Sequence, residues 1–370
     1  MKKSEICFII QRYKNGGGTE RVVSQIASGL VKMGYGVSVI SIDEGAYPVF
    51  ETDSRVRLYE LKMGNGAKKS KIMGGVSVIS HILKVRAALV RLAREIKPQI
   101  VIAVDVVLYH YADRLRKSLG VKTVCWEHYC LDSRKGALIS HSRRLAIKNA
   151  DLTVVISKGD LRSYKERFKG PKNLRLIYNP LSVKELSSCG GDTKRVIAAG
   201  RLTYQKGFDM LLEAWRKVEK EAPQWTLAIF GEGEDKSSLK AQAERCGLKK
   251  VSFNGYTDKL YSEMQKSAIF VLSSRYEGFG LVLLEAQAAG LPCVSFDCKE
   301  GPREIIDNGI NGFLVREGDT KELSERILLL IKNTALRRSF SENSQKDLYR
   351  FTPEKILKEW NTVLEEISRD

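Results

Sequence analysis

Short runs of β-branched and aliphatic residues alternate with amphipathic stretches along the whole chain, and this alternation constrains the fold more than any other feature of the sequence. In the first half the apolar runs are Ile6–Ile10, Val37–Ile42, Val56–Leu61, Ile100–Asp105, Lys122–Glu127, Leu152–Ser157 and Leu174–Asn179. In the second half they are Val196–Gly200, Thr226–Gly231, Val251–Tyr256, Ile269–Ser273, Pro292–Asp297 and Gly312–Val315. Nearly continuous apolar runs between helical stretches predict parallel strands covered on both faces. The alternation restarts near Val196, after the segment Leu181–Gly191 with its Cys189-Gly190-Gly191. The chain therefore reads as α/β, with two doubly wound parallel-sheet domains, residues 1–185 and 192–352. Open parallel sheets bind ligands at the carboxyl ends of their strands, and two such domains facing each other make a cleft. The last segment, 353–370, is predicted as a helix over Pro353–Ser368, with Ile356, Trp360, Val363, Leu364 and Ile367 on one face. It follows the last strand by several helices, so it is free to pack away from its own sheet.

Composition removes several classes. With 43 % hydrophobic residues and only 8 prolines among 370, the chain can bury a large core, which excludes wholesale disorder, collagen and coiled coil. The longest charge-free stretch, Ile72–Leu83, has 12 residues. A spanning helix needs about 18–20, so no transmembrane segment is expected. The apolar run Ile6–Ile10 is too short for a signal peptide. Seven cysteines, an odd number without a CxxC pair, suit reduced thiols in a cytoplasmic protein. The charge is one-sided. Residues 1–180 hold 33 Lys and Arg against 15 Asp and Glu, whereas residues 181–370 hold 29 of each, so the formal excess of +18 lies wholly in the first half. Such a field favours an anionic partner.

Four predicted strand-to-helix turns carry the residues suited to chemistry. Gly16, Gly17 and Gly18 follow the first strand and precede a helix expected over Arg21–Met33; they let the backbone approach a ligand where helix amides suit phosphate, or they form a tight capped turn. Arg201 and Lys206 lie five apart in a loop that opens a helix at Phe208. They can clamp a diphosphate as fork and point charge, or be solvated surface charge. Glu277 closes a strand, Gly278 and Gly280 open a helix, and Glu285 lies one to two turns inside it. A carboxylate can accept two adjacent hydroxyls, as from a ribose, and the amides of Phe279 and Gly280, before Leu281, can meet phosphate or sugar oxygens. The other reading makes Glu277 a cap and Glu285 an exposed helix residue, against which the apolar stretch Leu281–Leu284 argues. His128, one of four histidines, ends a first-half strand, where it is either structural or a contact for a reacting hydroxyl or an anionic group.

No D-x-D spacing signals a metal-bridging carboxylate pair, no Cys/His cluster has zinc spacing, and no G-x-S-x-G supports a hydrolase. No metal and no cofactor is expected, so phosphate charge falls to Arg201, Lys206 and helix amides.

These residues resemble the GT-B-fold retaining glycosyltransferases of family 4, the glycosyltransferase group 1 type. The stretches GGTER, AGRLTYQKGFDMLLEAW, FGEGED, SSRYEGFGLVLLEAQAAGLPCVSFD and NGINGFLV are similar to that family in its order, with Glu277 and Glu285 forming its E-x7-E element. The run Phe296–Ile306 is similar to bacterial members that build surface polysaccharides or lipid-linked oligosaccharides from UDP-hexoses or UDP-N-acetylhexosamines. The resemblance implies that the first domain binds the acceptor, that the second binds the nucleotide sugar, and that the terminal helix crosses back to the first. It implies that Gly16, Gly17 and Gly18 approach donor diphosphate or acceptor. Arg201 and Lys206 would hold the diphosphate, and Glu285 the ribose. Glu277, with Gly278, Phe279, Gly280 and Leu281, would hold the donor sugar. His128 would sit near the reacting hydroxyl, and Tyr256 would line the nucleobase pocket. The implied reaction keeps the anomeric configuration by front-face attack, with the leaving phosphate oxygen accepting the proton.

The basic half suits the acceptor's environment. Lys62–Lys97 carries nine Lys and Arg against Glu95, interleaved with Leu83, Val85, Leu89, Val90, Leu92 and Ile96, and Arg134–Lys148 adds five more. These stretches suit an anionic inner-leaflet membrane surface and a polyprenyl-diphosphate-linked acceptor, or a solvated face and a soluble sugar acceptor. No recognition pattern supports nucleic acid as a partner. A GT-B sugar-nucleotide epimerase or hydrolase stays open as an alternative.

Overall fold

The computed structural model describes residues 3–14, 16–44, 50–64, 75–132, 136–183, 186 and 193–369. They form two compact units, Met1–Ser182 with Pro353–Asp370, and Val183–Thr352.

The first unit is built on β1 (Glu5–Ile10), β2 (Gly36–Ser41), β3 (Arg57–Glu60), β4 (Ile100–Val104), β5 (Lys122–Trp126), β6 (Leu152–Val155) and β7 (Leu174–Leu176). The sheet order is β3-β2-β1-β4-β5-β6-β7, all pairs parallel. Phe8 of β1 stands opposite Val39 on one side and Ile102 on the other. The central strands are apolar throughout because the helices cover both faces: α1 (Gly18–Lys32), α2 (Gly75–Ile96), α3 (Tyr109–Leu119), α4 (Ala137–Asn149) and α5 (Lys158–Arg167). The strand order turns between β1 and β4, the place where such sheets open a crevice at their carboxyl edge.

The second unit repeats the plan. Its strands are β8 (Arg195–Ala199), β9 (Thr226–Phe230), β10 (Val251–Phe253), β11 (Ile269–Leu272), β12 (Cys293–Phe296) and β13 (Gly312–Val315). They run in the order β10-β9-β8-β11-β12-β13, again all parallel, with the turn in order between β8 and β11. Its helices are α6 (Phe208–Glu221), α7 (Lys236–Arg245), α8 (Leu260–Gln265), α9 (Leu281–Ala288), α10 (Pro302–Ile305), α11 (Thr320–Lys332) and α12 (Thr334–Ser344). On α6 the stripe Leu211, Leu212, Trp215 and Val218 is buried at helical spacing against the sheet.

The last helix, α13 (Pro353–Arg369), belongs to the first unit. Its buried residues are Ile356, Trp360, Val363, Leu364 and Ile367, the expected face. Trp360 stands edge-on to Trp126 at 4.8 Å, and a side chain at Gly29 of α1 would collide with Leu357. Small size at Gly29 thus sets how closely α13 lies on α1. Lys3 bonds Asn361 (2.7 Å) and Glu365 (3.1 Å), and the Tyr35 hydroxyl donates to Asn361 (3.0 Å).

Boundaries differ from the sequence reading at several points. The helix read as starting at Arg21 starts at Gly18, because Thr19 and Glu20 are good first-turn residues beside the positive helix end. The runs ending at Asn179 and Tyr256 are strands only to Leu176 and Phe253, since β7 and β10 are edge strands paired on one side. Among the described residues Cys7, Cys125, Cys130, Cys246, Cys293 and Cys298 are free thiols, and no helix is long and apolar enough to cross a membrane. Asn15, Lys68, Lys69, Lys71, Arg134, Lys135 and Cys189-Gly190-Gly191 lie outside the described residues.

Candidate active site

In the second unit the loop after β8 and the loop after β11 leave neighbouring strands on either side of the turn in strand order, so they lie side by side. Gly207 makes the close approach possible. It holds φ of 62°, and any Cβ there would meet the Ser273 carbonyl oxygen, so only glycine fits. The two loops are then bonded together. The Arg275 amide donates to Gln205 O (2.8 Å), Gln205 Nε2 to Tyr276 O (3.0 Å), and the Ser273 hydroxyl to Lys206 O (3.0 Å). The Arg275 guanidinium grips Asp209 with two bonds (2.9 and 2.6 Å), reaches Tyr204 O (2.7 Å) and lies 3.9 Å over the Tyr204 ring. Burial alone would raise the Asp209 carboxyl, but the Arg275 bonds outweigh it and hold it below its ordinary range.

This frame presents Lys206 and Glu277. The Lys206 ammonium bonds Glu277 Oε1 at 2.6 Å, and the Ser274 hydroxyl donates to the same oxygen at 2.6 Å. Glu277 is 6 % exposed; its second oxygen has no hydrogen-bond partner among the described residues. β11 stops at Leu272, so Glu277 stands in the loop and not at the strand end, as the sequence reading had it. Arg201, in the same loop as Lys206, is exposed and its guanidinium makes no ion pair among the described residues.

Helix α9 begins beyond Glu277. Gly280 caps it at φ of 89°, a left-handed value that turns the chain sharply into the helix, and the amides of its first turn lack partners within it. Gly278 is half-buried, Leu281 opens the helix, and Phe279 is buried edge-on against Phe351 at 5.6 Å. Glu285, in the second turn, is 5 % exposed, which removes the reading of an exposed surface carboxylate. Tyr256 lies exposed in the loop after β10, next to Gly255, whose carbonyl accepts the Gly231 amide (2.7 Å).

In the first unit Gly17 caps α1 and Gly18 is its first residue; Gly16 is open, while a side chain at Gly17 would strike the Glu20 carboxylate folded back beside it. His128 follows β5. It is buried, its ring packs 4.4 Å from Trp126, and Nε2 has no hydrogen-bond partner among the described residues. Burial drives its titration down to about 3, so the imidazole is neutral at physiological pH. Beneath it Glu127 accepts from Arg143 (3.3 Å), the Tyr164 hydroxyl (2.9 Å) and the Tyr129 amide (3.3 Å). Burial and the nearby Asp105 carboxylate push Glu127 upward against those donors. Asp105 itself is a non-glycine residue at φ of 87°. Sequence reasoning did not assign Ser274, Arg275, Asp209, Glu127 or Arg143; Ser274 and Arg275 lay inside the SSRYEGFG stretch and carried a signal only as neighbours of Glu277. Among the described residues no group of three His, Cys, Asp or Glu is placed to hold a metal ion.

Two all-parallel α/β units, each with loops gathered at a turn in strand order, and a terminal helix returned to the first, define a GT-B-fold protein. HepE of Anabaena, solved in complex with UDP and glucose, has this fold at a TM-score of 0.84 and 20 % identity over 98 % of this chain and 100 % of its own. Residues 16–185 match Glycosyltransferase Family 4 and residues 187–347 match Glycosyl transferases group 1. An uncharacterized glycosyltransferase of Haemophilus influenzae is 32 % identical over 98 % of this chain and all of its own. The amylovoran biosynthesis glycosyltransferase AmsD of Erwinia amylovora is 29 % identical over 97 % of this chain and 99 % of its own. The chain belongs to this glycosyltransferase family and is a glycosyltransferase.

Proposed function

We propose that the enzyme moves a hexose or N-acetylhexosamine from a UDP-sugar to a sugar or lipid-linked acceptor in bacterial glycan synthesis, with retention at the anomeric carbon and without a metal. The observation that carries this is the Lys206–Glu277 pair at the turn in strand order of the second unit. A cation and a carboxylate held 2.6 Å apart suit the two ends of a glycosyl phosphate, the anionic oxygen and the sugar hydroxyls. Arg201 and Lys206 neutralise the charge that grows on the departing diphosphate, and first-turn amides of α9 add to it. Glu285 takes the ribose hydroxyls; Glu277 takes donor sugar hydroxyls through its second oxygen. Tyr256 lines the base. The Gly16–Gly18 turn and neutral His128 face the acceptor side, where His128 Nε2 accepts from a hydroxyl. Attack comes from the face the diphosphate leaves, and the leaving oxygen takes the acceptor's proton. That HepE was solved with UDP and glucose, and that AmsD serves amylovoran biosynthesis, support the donor and the glycan setting.

The experiment is a thermal-shift series with UDP, GDP and ADP in the presence of a chelator, since a ligand stabilises the state it binds. UDP should raise the midpoint most. Equal shifts by all three, or a shift only with added divalent metal, overturns the reading.

We propose further that the first unit rests on an anionic inner-leaflet surface. Ile79 and Leu83 of α2 are exposed at one-turn spacing beside Lys84, and each basic residue near such a surface contributes about 1 kcal/mol. Flotation with phosphatidylglycerol vesicles at physiological salt tests it; absence of binding removes the membrane from the proposal.

A further inference from the structure

Three segments of the first unit carry buried polar atoms that no described residue satisfies. His110 lies in the first turn of α3, 5 % exposed. Its Nδ1 is 2.7 Å from Val107 O, and a carbonyl only accepts, so Nδ1 carries the hydrogen. Nε2 is then a lone pair in the neutral ring; it is buried and meets no donor among the described residues. Arg86 stands on α2 next to Val85, which is buried in one core cluster with Ile42 and Tyr111, the chain neighbours of Asp43 and His110. Arg86 Nε is buried without an acceptor among the described residues, and its charge adds to burial in lowering the His110 titration to about 4. Asp43, just beyond β2, is 1 % exposed. Among the described residues its Oδ1 is buried without a donor, and its Oδ2 has a single 3.5 Å contact, with Arg12. Tyr111 joins them, stacked 3.9 Å from the His110 ring and within the fields of both Arg86 and Asp43.

A buried polar atom without a partner costs about 1–3 kcal/mol. Three around one core cluster, with Asp43 and His110 on the segments that leave the carboxyl ends of β2 and β4, mark a place suited to a ligand. The missing partners define its chemistry. His110 Nε2 and Asp43 Oδ1 call for hydroxyl donors, and Arg86 Nε calls for an acceptor. Arg12 balances Asp43, which leaves the Arg86 charge for the ligand to answer. Ordered water could supply donors but no negative charge.

We infer that Asp43, Arg86 and His110 form a subsite for an acidic sugar residue of the acceptor, a carboxylate or phosphate group on Arg86 with neighbouring hydroxyls on His110 and Asp43. The inference rests on the first unit holding the acceptor, and deepens that reading by naming the charge of the acceptor's sugar.

The test is saturation-transfer NMR and calorimetry on the full chain saturated with UDP, using glucuronate, glucose 6-phosphate, glucose and inorganic phosphate as probes. Glucuronate or glucose 6-phosphate should bind about tenfold more tightly than glucose, a difference of about 1.4 kcal/mol. Arg86→Gln should abolish that preference while leaving glucose and UDP binding unchanged; His110→Phe, which keeps a ring in the core, should weaken all three sugars. Inorganic phosphate binding as well as glucose 6-phosphate would mean an anion site without sugar recognition, and overturns the inference. So does equal binding of glucuronate and glucose, an Arg86→Gln protein with its preference intact, or no sugar binding by a protein that binds UDP. If UDP itself fails to bind, the donor reading fails instead, and the two failures are told apart in the same series.

Discussion

Lys206 and Glu277, 71 positions apart in the chain, meet at 2.6 Å across two neighbouring strand-end loops. Their side chains are 15 % and 6 % exposed, so each charge depends on the other in the absence of substrate. Removing one member leaves the other buried and unpaired, which destabilises more than the pair itself stabilises.

Lys206→Ala should lower kcat/KM by about 100- to 1,000-fold, the scale of losing one preorganised charge contact at a developing anion. Glu277→Gln keeps the shape and the Ser274 bond but weakens the hold on Lys206. The double variant should fall short of the product of the two single losses, because both act on one unit. Steady-state kinetics on the four proteins checks this; independent, multiplying losses would separate the two residues functionally.

Arg201 differs because its guanidinium makes no ion pair among the described residues. Arg201→Ala should therefore leave the melting midpoint where it is, within the small range of surface substitutions, about 0.5 kcal/mol. Its kcat should fall more than UDP affinity does, as expected of a contact that strengthens with charge on the leaving group. A matched loss of affinity and rate would make Arg201 a ground-state binder only.

Glu285→Ala is expected to weaken UDP binding by about tenfold or more, the scale of a charge-assisted hydrogen-bonded contact. Calorimetry with UDP and with uracil or phosphate alone locates the loss: UDP should suffer and inorganic phosphate should not.

The architecture was legible because it depends on patterning. Continuous apolar runs such as Ile100–Val104 and the α13 stripe from Ile356 to Ile367 identify their elements without reference to neighbours. The proposed donor-site residues were legible as a list, since Arg201, Lys206 and Glu277 stand at strand-to-helix turns and Glu285 lies just inside the helix that follows. What spacing could not supply is pairing. That Lys206 bonds Glu277, and that Arg275 ties Asp209 and Tyr204, follows from β8 and β11 being neighbours in the sheet, a long-range fact. The Asp43–Arg86–His110 cluster was invisible for the same reason. Its members come from β2's end, α2 and α3, and singly each looks like an ordinary charged or aromatic residue. Edge strands read as longer because apolar content continues past the strand end, as at Ile177, whose amide still donates to Val155 O (3.1 Å) one residue beyond β7.

Trp360 is fully buried against Trp126 although it is distant in sequence from the rest of its unit. Trp360→Ala should cost about 3–5 kcal/mol, as for other large aromatic truncations. Because α13 belongs to the first unit, the loss should appear in that unit's unfolding and leave the UDP-induced stabilisation of the second largely intact. Scanning calorimetry with and without UDP resolves the two; an equal downward shift of every transition would contradict it.

The last prediction concerns pH. His128 and His110 titrate near 3 and 4 in the folded chain, below the ordinary value of 6.5, chiefly through burial. The unfolded chain therefore binds protons that the folded chain refuses at any pH between those values and 6.5. Stability is complete above about 6.5 and falls as pH drops through that window, by up to about 1.4 kcal/mol per pH unit for each histidine. Glu127 works the other way, because its upward shift makes the folded chain hold a proton more tightly, so the whole-protein curve mixes opposite slopes. The contribution of His128 is isolated by difference. His128→Gln should be less stable than the wild type at pH 7.5, through lost packing on Trp126, yet should lose less on acidification from 6.5 to 4.5. The gap between the two melting midpoints should therefore narrow across that interval. A gap that stays constant or widens would mean that His128 takes up its proton in the folded state, and that its imidazole is not the neutral acceptor proposed for the reacting hydroxyl.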